Sequence, residues 1–276
     1  MSDATIWEFL GRKLNFSTPH VMGILNVTPD SFHDGGKYKN ESQILNQVEK
    51  MIAEGASIVD IGGYSTRPGA TDVSINEEIK RTAGIIKLVT QAFPDLIVSI
   101  DTFRAEVAKI AVQNGASIIN DVSGGTLDDN MYDTVAELGT PYVLMHMRGT
   151  PQTMDQFTEY DDLMSSLINY YTTRINELKK RGVKQIFIDP GFGFAKTMAQ
   201  NYEIIKKLEV FNELKLPLLI GISRKSLIWK KLNILPENAL NGTTALNALA
   251  ISRGAKILRV HDVREAMETI KLVSEL

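Results

Sequence analysis

The sequence of 276 residues contains no cysteine. Disulfide bonds, thiolate metal sites and cysteine nucleophiles are therefore excluded, and the composition fits a reducing compartment. The sequence also has no excess of positive charge, since 30 Lys and Arg residues face 33 Asp and Glu residues, a formal net charge of −3. Proteins that bind nucleic acids usually carry a strongly basic surface, so we expect no nucleic-acid partner.

Long apolar runs are missing as well. No run of the sequence approaches the roughly 20 apolar residues that a membrane-spanning helix needs. Residues 1–14 do not combine a basic region with a following apolar region, so we expect no signal peptide. Hydrophobic residues make up 43% and charged residues 23% of the chain, which is typical of globular proteins. We therefore predict a cytoplasmic protein with no membrane partner.

The segment 21–36 shows the pattern that the rest of the chain repeats. An apolar run at 21–25 is followed at once by polar and turn-forming residues, among them Pro29, which opposes helical continuation. A short apolar run that ends in turn residues predicts a strand buried on both faces. Apolar residues at helical spacing follow between 40 and 54, so the strand is succeeded by an amphipathic helix.

Eight such strands alternate with eight helical segments. The predicted strands are 21–25, 58–61, 96–100, 117–119, 142–145, 185–188, 218–222 and 256–258. This alternation in slightly more than the roughly 250 residues typical of the fold predicts the α/β class and a (β/α)8 TIM barrel. We expect one domain over 1–276, with 1–20 as an N-terminal extension that forms a hairpin over one end of the core. A doubly wound open sheet is the alternative fold, although the glycine-rich nucleotide turn common in such sheets is missing.

Active sites of these barrels lie at the carboxyl ends of the strands. Polar residues follow the predicted strands at these ends: Asn26, Asp101, Asn120, Asp189, Lys225, Arg259 and His261. The loops after the first two strands add Asp34, Thr66 and Arg67. Because several of these side chains directly follow buried runs, they would be partly desolvated and would need partners.

Each of these residues also has a structural interpretation. Asp101 could cap the next helix, Asn120 and Asp189 could stabilise turns, Lys225 could be a solvated surface charge, and His261 could be packed. A functional site is favoured by their joint placement at one rim of the barrel, since chance would scatter them between both ends.

The residue types at this rim indicate which ligands they suit. The donors and acceptors of Asp101, Asn120, Asp189 and Lys225 suit a flat heterocycle that bears amide and amino groups. Cationic side chains suit phosphate oxygens, and the candidates are Arg67, Arg259 and His261.

Two further features extend this interpretation. Asn26 with a nearby carboxylate could hold a hard cation such as Mg²⁺ through oxygen and water. Ser226 is expected to begin a helix, where backbone N–H groups favour an anion. A heterocycle, a phosphorylated group, a cation and a second anionic substrate together predict group transfer with pyrophosphate as the leaving group.

Ordered motifs along nearly the whole chain from Val21 resemble those of the dihydropteroate synthase family. The motifs are 26–32 (NVTPDSF), 34–36 (DGG), 60–63 (DIGG), 65–69 (STRPG), 120–125 (NDVSGG), 146–151 (HMRGTP), 189–194 (DPGFGF), 223–226 (SRKS) and 259–262 (RVHD), together with Asp101 at its strand end. Two positions depart from the usual pattern, since His33 stands where Ser is common and Tyr64 where Glu is common.

The resemblance implies a transferase of folate biosynthesis. It would condense 6-hydroxymethyl-7,8-dihydropterin diphosphate with 4-aminobenzoate to give 7,8-dihydropteroate and pyrophosphate. It further implies a sulfonamide target, a Mg²⁺ requirement and a homodimer packed through late helices. Mechanistically, we expect C–O cleavage to run ahead of attack by the amine, because the dihydropterin ring can donate electrons to the methylene carbon.

The resemblance also assigns residues. The pterin ring would be bound by Asp101, Asn120, Asp189, Lys225 and Arg259. The diphosphate would be bound by Asn26, Arg67, Arg259 and His261, with Asn26 as the metal ligand. The 4-aminobenzoate would be bound by Phe32, Thr66, Arg67, Pro68, Phe194 and Ser226. Catalytic roles fall to Asp34, Arg67, Lys225, Arg259 and His261.

Two rival functions share part of this pattern. A pterin-barrel methyltransferase that uses methyltetrahydrofolate and a corrinoid partner would keep the Asp and Asn contacts to the ring. It would not need the loop after Asn26, the 65–69 loop or the anion site at Arg259 and His261. A pterin-binding protein without activity should have lost some of these residues, and none of the assigned ones is missing.

Overall fold

The computed structural model describes residues 6–27, 37–64 and 72–276. Its strands are β1 (Ile6–Phe9), β2 (Arg12–Asn15), β3 (His20–Asn26), β4 (Ile58–Gly62), β5 (Ile97–Asp101), β6 (Ile118–Asp121), β7 (Tyr142–Met145), β8 (Ile186–Asp189), β9 (Leu218–Ile220) and β10 (Ala255–Val260). Its α-helices are α1 (Lys37–Ala53), α2 (Ile75–Ala92), α3 (Ala105–Gln113), α4 (Met131–Leu138), α5 (Leu163–Lys180), α6 (Met198–Lys206), α7 (Ser226–Leu232), α8 (Leu240–Ser252) and α9 (Val263–Val273).

Strands β3 to β10 form a closed parallel barrel. They follow one another in chain order, and β10 pairs with β3 to close the sheet. At least one α-helix follows each barrel strand along the chain. The predicted (β/α)8 barrel is therefore confirmed, and the alternative of an open sheet is wrong. Within the described ranges, no helix is both long and apolar enough to cross a membrane.

The amino end of the barrel is closed by apolar side chains. One residue from each barrel strand contributes to this floor: Met22, Ile58, Ile97, Ile118, Val143, Phe187, Leu219 and Ile257. The predicted N-terminal hairpin exists as the antiparallel pair β1–β2, and it packs Phe9, Leu14 and Phe16 onto these residues. The Trp7 ring lies 4.6 Å from the ring of Phe187, so the hairpin seals the floor with aromatic contacts.

Polar side chains begin two residues beyond the floor. Successive side chains of a strand alternate between faces, so positions two apart point to the same side. The positions two after the floor residues include Asp60, Ser99, Asn120, Asp189 and Arg259. They therefore lie in the barrel interior, directly above the apolar floor and towards the carboxyl ends of the strands.

Helix boundaries follow local signals at several points. Ser74 caps α2, because its hydroxyl accepts a hydrogen bond from the Glu77 N–H at 3.2 Å. The helical segment after β9 is divided at Pro236 into α7 and α8, with a short 3-10 turn at Pro236–Asn238.

Two carboxylates that precede helices do not cap them. Asp262 precedes α9, but its carboxylate pairs with Arg224 at 2.7 and 2.8 Å and makes no capping bond. Asp101 does not cap α3 either, since the Ala105 N–H donates to Asp128 Oδ2 at 2.8 Å. Asp262 and Asp101 instead form ion pairs with arginines that are distant in sequence, Arg224 and Arg259. Local sequence patterns do not show such pairs.

Candidate active site

A guanidinium group joins two carboxylates at the centre of the barrel mouth. Arg259 Nε donates to Asp60 Oδ2 and Arg259 Nη2 donates to Asp101 Oδ2, each at 2.6 Å. Asn120 Nδ2 also donates to Asp60 Oδ2, at 2.8 Å. Asp60 thus joins two of the predicted pterin residues, Asn120 and Arg259, and Arg259 links them to a third, Asp101. The sequence did not single out Asp60 as a candidate.

Asp60 carried a signal that could have identified it. It is a carboxylate in the middle of the apolar strand IVDIG, and its side chain is fully buried. Burying an ionised carboxylate is costly unless it is paired, so a mid-strand Asp indicates a partner inside the barrel. Here that partner, Arg259, follows 199 residues later.

The bottom of the mouth also has unused hydrogen-bonding capacity. In the described part of the chain, Asp60 Oδ1 and Ser99 Oγ are buried without a hydrogen-bond partner. The two residues are opposite each other in the β4–β5 register. Buried polar groups are ordinarily paired, so these atoms can accept or donate hydrogen bonds to a ligand or to water.

The electrostatics of this group are dominated by burial. Burial raises the pKa of Asp101 to about 7, although Arg259 lowers it and Asp60 adds to the increase. Burial opposes the charge of Arg259, but Asp60 and Asp101 outweigh it and raise the pKa of Arg259. The guanidinium is therefore always charged, whereas Asp101 changes charge near neutral pH.

Asp189 at the end of β8 and Lys225 after β9 form a second group, next to β10 and Arg259. Asp189 Oδ1 accepts from the Gly191 N–H at 2.8 Å, and Lys225 Nζ donates to Phe192 O at 2.5 Å. A methyl group added at Gly221 would lie 3.8 Å from Asp189 Oδ2 and 3.9 Å from Lys225 Nζ. Gly221 therefore leaves open the space between these two side chains.

The pKa values of this pair move towards each other. Burial raises the pKa of Asp189, and the charge of Lys225 opposes that increase. Burial lowers the pKa of Lys225 to about 8, and Asp189 opposes that decrease. Perturbed pKa values of this kind are typical of residues in functional sites.

The rim above these groups carries the remaining described candidates. His261 is exposed; its Nδ1 lies 3.0 Å from Ser223 Oγ, which also accepts from the His261 N–H at 3.1 Å. Ser223 was missing from the predicted site and orients this imidazole. The Phe194 ring lies 4.6 Å from Lys225 Nζ, and Ser226 is the half-buried first residue of α7.

Asn26 lies at the carboxyl end of β3, close to Asp101. A methyl group added at Gly62 would lie 3.7 Å from Asn26 Oδ1 and 3.6 Å from Asp101 Oδ2, so these two oxygens face the same space. Oxygen donors of this kind suit Mg²⁺, which keeps several waters and uses few protein ligands. Among the described residues, no cluster of three or more acidic or histidine side chains could hold a metal ion.

Five of the predicted site residues belong to the loops after β3 and β4 in the sequence. Phe32, Asp34, Thr66, Arg67 and Pro68 lie outside the described residues. His33, one of the two departures from the family pattern, lies there too.

Tyr64, the other departure, has a defined environment at the end of β4. Its hydroxyl donates to Asp72 Oδ1 and accepts from Gln152 Nε2, both at 3.1 Å. The guanidinium of Arg104 lies 5.1 Å from the Tyr64 ring and donates to the buried carboxylate of Glu78 at 2.8 Å. Tyr64 thus contacts three segments of the rim: the end of the loop before α2, the loop after β5 and the loop after β7. A local sequence pattern does not predict these contacts.

Comparisons with known proteins agree on one family. Residues 22–261 match the family described as pterin binding enzyme. A dihydropteroate synthase of Escherichia coli is 41% identical over 265 residues, which cover 95% of this chain and 93% of that protein.

Solved structures agree with this result. The dihydropteroate synthase of Yersinia pestis, in a sulfonamide drug complex, is 39% identical, with a TM-score of 0.92 and 98% of both chains covered. The dihydropteroate synthase of Xanthomonas albilineans, with 4-aminobenzoic acid, is 39% identical, with a TM-score of 0.91 and coverage of 98% of this chain and 97% of that one.

Proposed function

The chain belongs to the dihydropteroate synthases of the pterin-binding enzyme family, and on that premise we propose that its barrel mouth binds the pterin diphosphate and releases pyrophosphate before the amine attacks. A dihydropteroate synthase is a transferase of folate biosynthesis. It joins 6-hydroxymethyl-7,8-dihydropterin diphosphate to 4-aminobenzoate and forms 7,8-dihydropteroate. No organic cofactor is needed for this reaction, since the diphosphate is itself the leaving group.

The observation that supports ring binding best is the convergence of five polar side chains above an apolar floor. These side chains are Asp101, Asn120, Asp189, Lys225 and Arg259. Carboxylates can accept from the amino and ring N–H groups of a pterin, while Lys225 can donate to its carbonyl oxygen. A flat ring held by such paired bonds is oriented as well as bound.

We propose that the ring changes the contacts of Arg259. In the described structure its guanidinium is shared by Asp60 and Asp101. A ring N–H donating to Asp101 would replace part of this interaction, while Asp60 keeps Nε fixed. The freed Nη2 can then face the ring or the diphosphate, where a fixed positive charge stabilises negative charge.

The proposed substitution proceeds in two steps. The C–O bond at the methylene carbon breaks first, and its electron pair leaves with pyrophosphate while the dihydropterin ring donates electrons to the carbon. The nitrogen lone pair of 4-aminobenzoate then forms the C–N bond, and the amine proton passes to water or pyrophosphate. Arg259 and His261 stabilise the leaving charge, and the barrel excludes water from the carbon.

We propose further roles for the outer residues. Phe194 and Ser226 contact the aminobenzoate, together with Phe32, Thr66, Arg67 and Pro68, and Asp34 assists turnover. Asn26 Oδ1 would hold Mg²⁺, which when bound neutralises diphosphate charge. The oxygens of Asn26 and Asp101 that face Gly62 support this assignment.

We also propose a cytoplasmic homodimer. Several leucines of the late helices and the turns beside them are exposed, including Leu232 at 52%, Leu235 at 60% and Leu272 at 73%. Exposed apolar side chains of this size suit burial against a second copy of the chain.

The test of the function is pyrophosphate release by the purified chain given the pterin diphosphate and Mg²⁺, with and without 4-aminobenzoate. We expect release that depends on aminobenzoate, accompanied by a pteroate product. Binding of the pterin without any release would contradict the proposal and favour a binding protein or a methyltransferase. Methyl transfer to a corrinoid protein would then separate these two.

A further inference from the structure

A buried lysine outside the predicted site belongs to the loop between β8 and α6. Lys196 is only 8% exposed, although lysine is among the residues least often buried. Its Nζ contacts three backbone carbonyls, Phe194 O at 2.9 Å, Gly191 O at 3.1 Å and His146 O at 3.3 Å. His146 Nδ1 lies 3.0 Å from the same Nζ. Four acceptors therefore surround one ammonium group.

The proton arrangement follows from these acceptors. Burial, and then the charge of Lys196, hold the pKa of His146 well below its ordinary value, so the imidazole is neutral and Nδ1 can accept. Burial lowers the pKa of Lys196 to about 7, while Asp189 opposes the decrease. The carbonyl oxygens can only accept hydrogen bonds, and they favour the ammonium form.

The loop that Lys196 holds is tightly constrained. Gly191 has φ of +69°, and a methyl group added there would clash with His146 O. Ala195 has φ of +49°, an unusual conformation for a residue with a side chain. Such strain persists only where surrounding contacts fix it, and here the bonds from Lys196 to Gly191 O and Phe194 O do so.

The same loop forms hydrogen bonds with two of the proposed ring-binding residues, Asp189 and Lys225. The Gly191 N–H donates to Asp189 Oδ1 at 2.8 Å, and Phe192 O accepts from Lys225 Nζ at 2.5 Å. The backbone directly after β7 is also linked to this group, because the His146 N–H donates to Asp189 O at 3.1 Å. A shift of residues 191–194 would therefore displace Asp189 and Lys225 together.

We propose that Lys196 is a positioning residue for the pterin: its buried ammonium cross-links His146, directly after β7, to the 191–194 loop and so presents Asp189 and Lys225 to the ring. This inference rests on the proposed function, since it concerns the binding of the same substrate. Lys196 does not touch the ring; it acts through the backbone carbonyls and His146.

The absence of cysteine allows a direct test of the ammonium group. A Lys196→Cys chain contains a single thiol, which can be alkylated in denaturant before refolding. Treatment with 2-bromoethylamine restores a side chain of lysine length with its ammonium, whereas iodoethane gives a neutral stem. Lys184→Cys, at an exposed position before β8, is treated identically as the matched control.

We expect a clear difference between the two treatments at position 196. The neutral stem should weaken binding of a pterin analogue about ten- to hundredfold, since bonds to a charged donor are lost while acceptors stay buried. The aminoethyl side chain should restore affinity to within about threefold. Neither treatment should change affinity in the control. Titration calorimetry measures each value.

Equal pterin affinity for the neutral and the aminoethyl side chains at 196 would overturn the proposal, even if the neutral chain melts at a lower temperature. If the alkylated chains do not refold, the Lys196→Met variant tests the loss of the ammonium group without alkylation. Its control is the Lys184→Met variant. An unmodified chain that binds the pterin but releases no pyrophosphate would contradict the proposed function alone. An unmodified chain that binds no pterin would contradict both.

Discussion

The floor of the barrel interior is apolar and its mouth is polar, although the two layers lie only two residues apart along the same strands. At the floor, eight apolar side chains pack against one another and against the β1–β2 hairpin. Two positions further, about 7 Å along the strand, Asp60, Asn120, Asp189 and Arg259 occupy the same face. One alternation step thus separates a packed core from a polar site.

This difference shows how stability and function are divided. The floor gains free energy from apolar burial and aromatic contacts. The mouth contains three carboxylates: Asp60 and Asp189 are buried and Asp101 is half-buried. They are tolerated because Arg259 and Lys225 lie beside them. Substitutions at the floor should therefore change unfolding, and substitutions at the mouth should change binding.

The largest effect is expected from Phe187→Ala at the floor. Phe187 is fully buried and contacts the rings of Trp7 and Phe16, so its removal should lower the free energy of unfolding by about 3–5 kcal/mol. Pterin affinity of the remaining folded protein should stay within about threefold of the parent. Urea unfolding measures the first quantity and calorimetry the second. Phe157→Ala, at a position 45% exposed, is the control with little effect on unfolding.

Asp189→Asn should have the opposite profile. The amide cannot accept from a ring N–H as strongly as the carboxylate, so pterin affinity should fall by about tenfold to a hundredfold. The free energy of unfolding should be unchanged or higher, because burial already disfavours the charged form. Asp133→Asn, at an exposed carboxylate paired with Arg181, is the matched control. Full pterin affinity in the Asp189 variant would remove this residue from the site.

The smallest effect is expected from pH, and it should act only at the mouth. Because the pKa of Asp101 is raised to about 7, its carboxyl is increasingly neutral below that pH and cannot accept from a ring N–H as an anion. Pterin affinity should therefore fall as pH decreases through 7, by at most about tenfold per unit, and it should fall again above about 8, where Lys225 loses its ammonium proton. Calorimetry between pH 5.5 and 8.5 tests this, with an analogue that does not titrate there.

The same shift has a consequence for stability. Between the ordinary Asp pKa and about 7, folded Asp101 binds a proton that the unfolded chain has lost, so its contribution to the free energy of unfolding decreases as pH rises. Variants test whether Asp101 causes the pH dependence of pterin binding. The Phe187→Ala variant should keep that pH dependence, and the Asp101→Asn variant should lose it. An unaltered pH profile in the Asp101 variant would assign the titration to another group.

The sequence by itself determined the barrel and most of its rim. Apolar runs with turn residues at their ends are local signals, and eight repeats of them leave few arrangements of strands. Because carboxyl ends of parallel strands meet at one rim, Asn120, Asp189, Lys225 and Arg259 were found without knowledge of their neighbours. The N-terminal hairpin and the break at Pro236 were likewise visible locally.

Only the tertiary structure decided which charges pair. Closure of β10 on β3 brings Arg259 to Asp60, and the loop after β8 brings Lys196 to His146. Asp262 faces Arg224 instead of its own helix, and Tyr64 meets Gln152. The spacing of apolar residues along a strand or helix predicts whether a side chain is buried, because burial depends on the face of the element on which it lies. This spacing does not predict which residue forms the ion pair or hydrogen bond with a buried polar side chain. The partner depends on which distant strands and loops meet when the barrel closes.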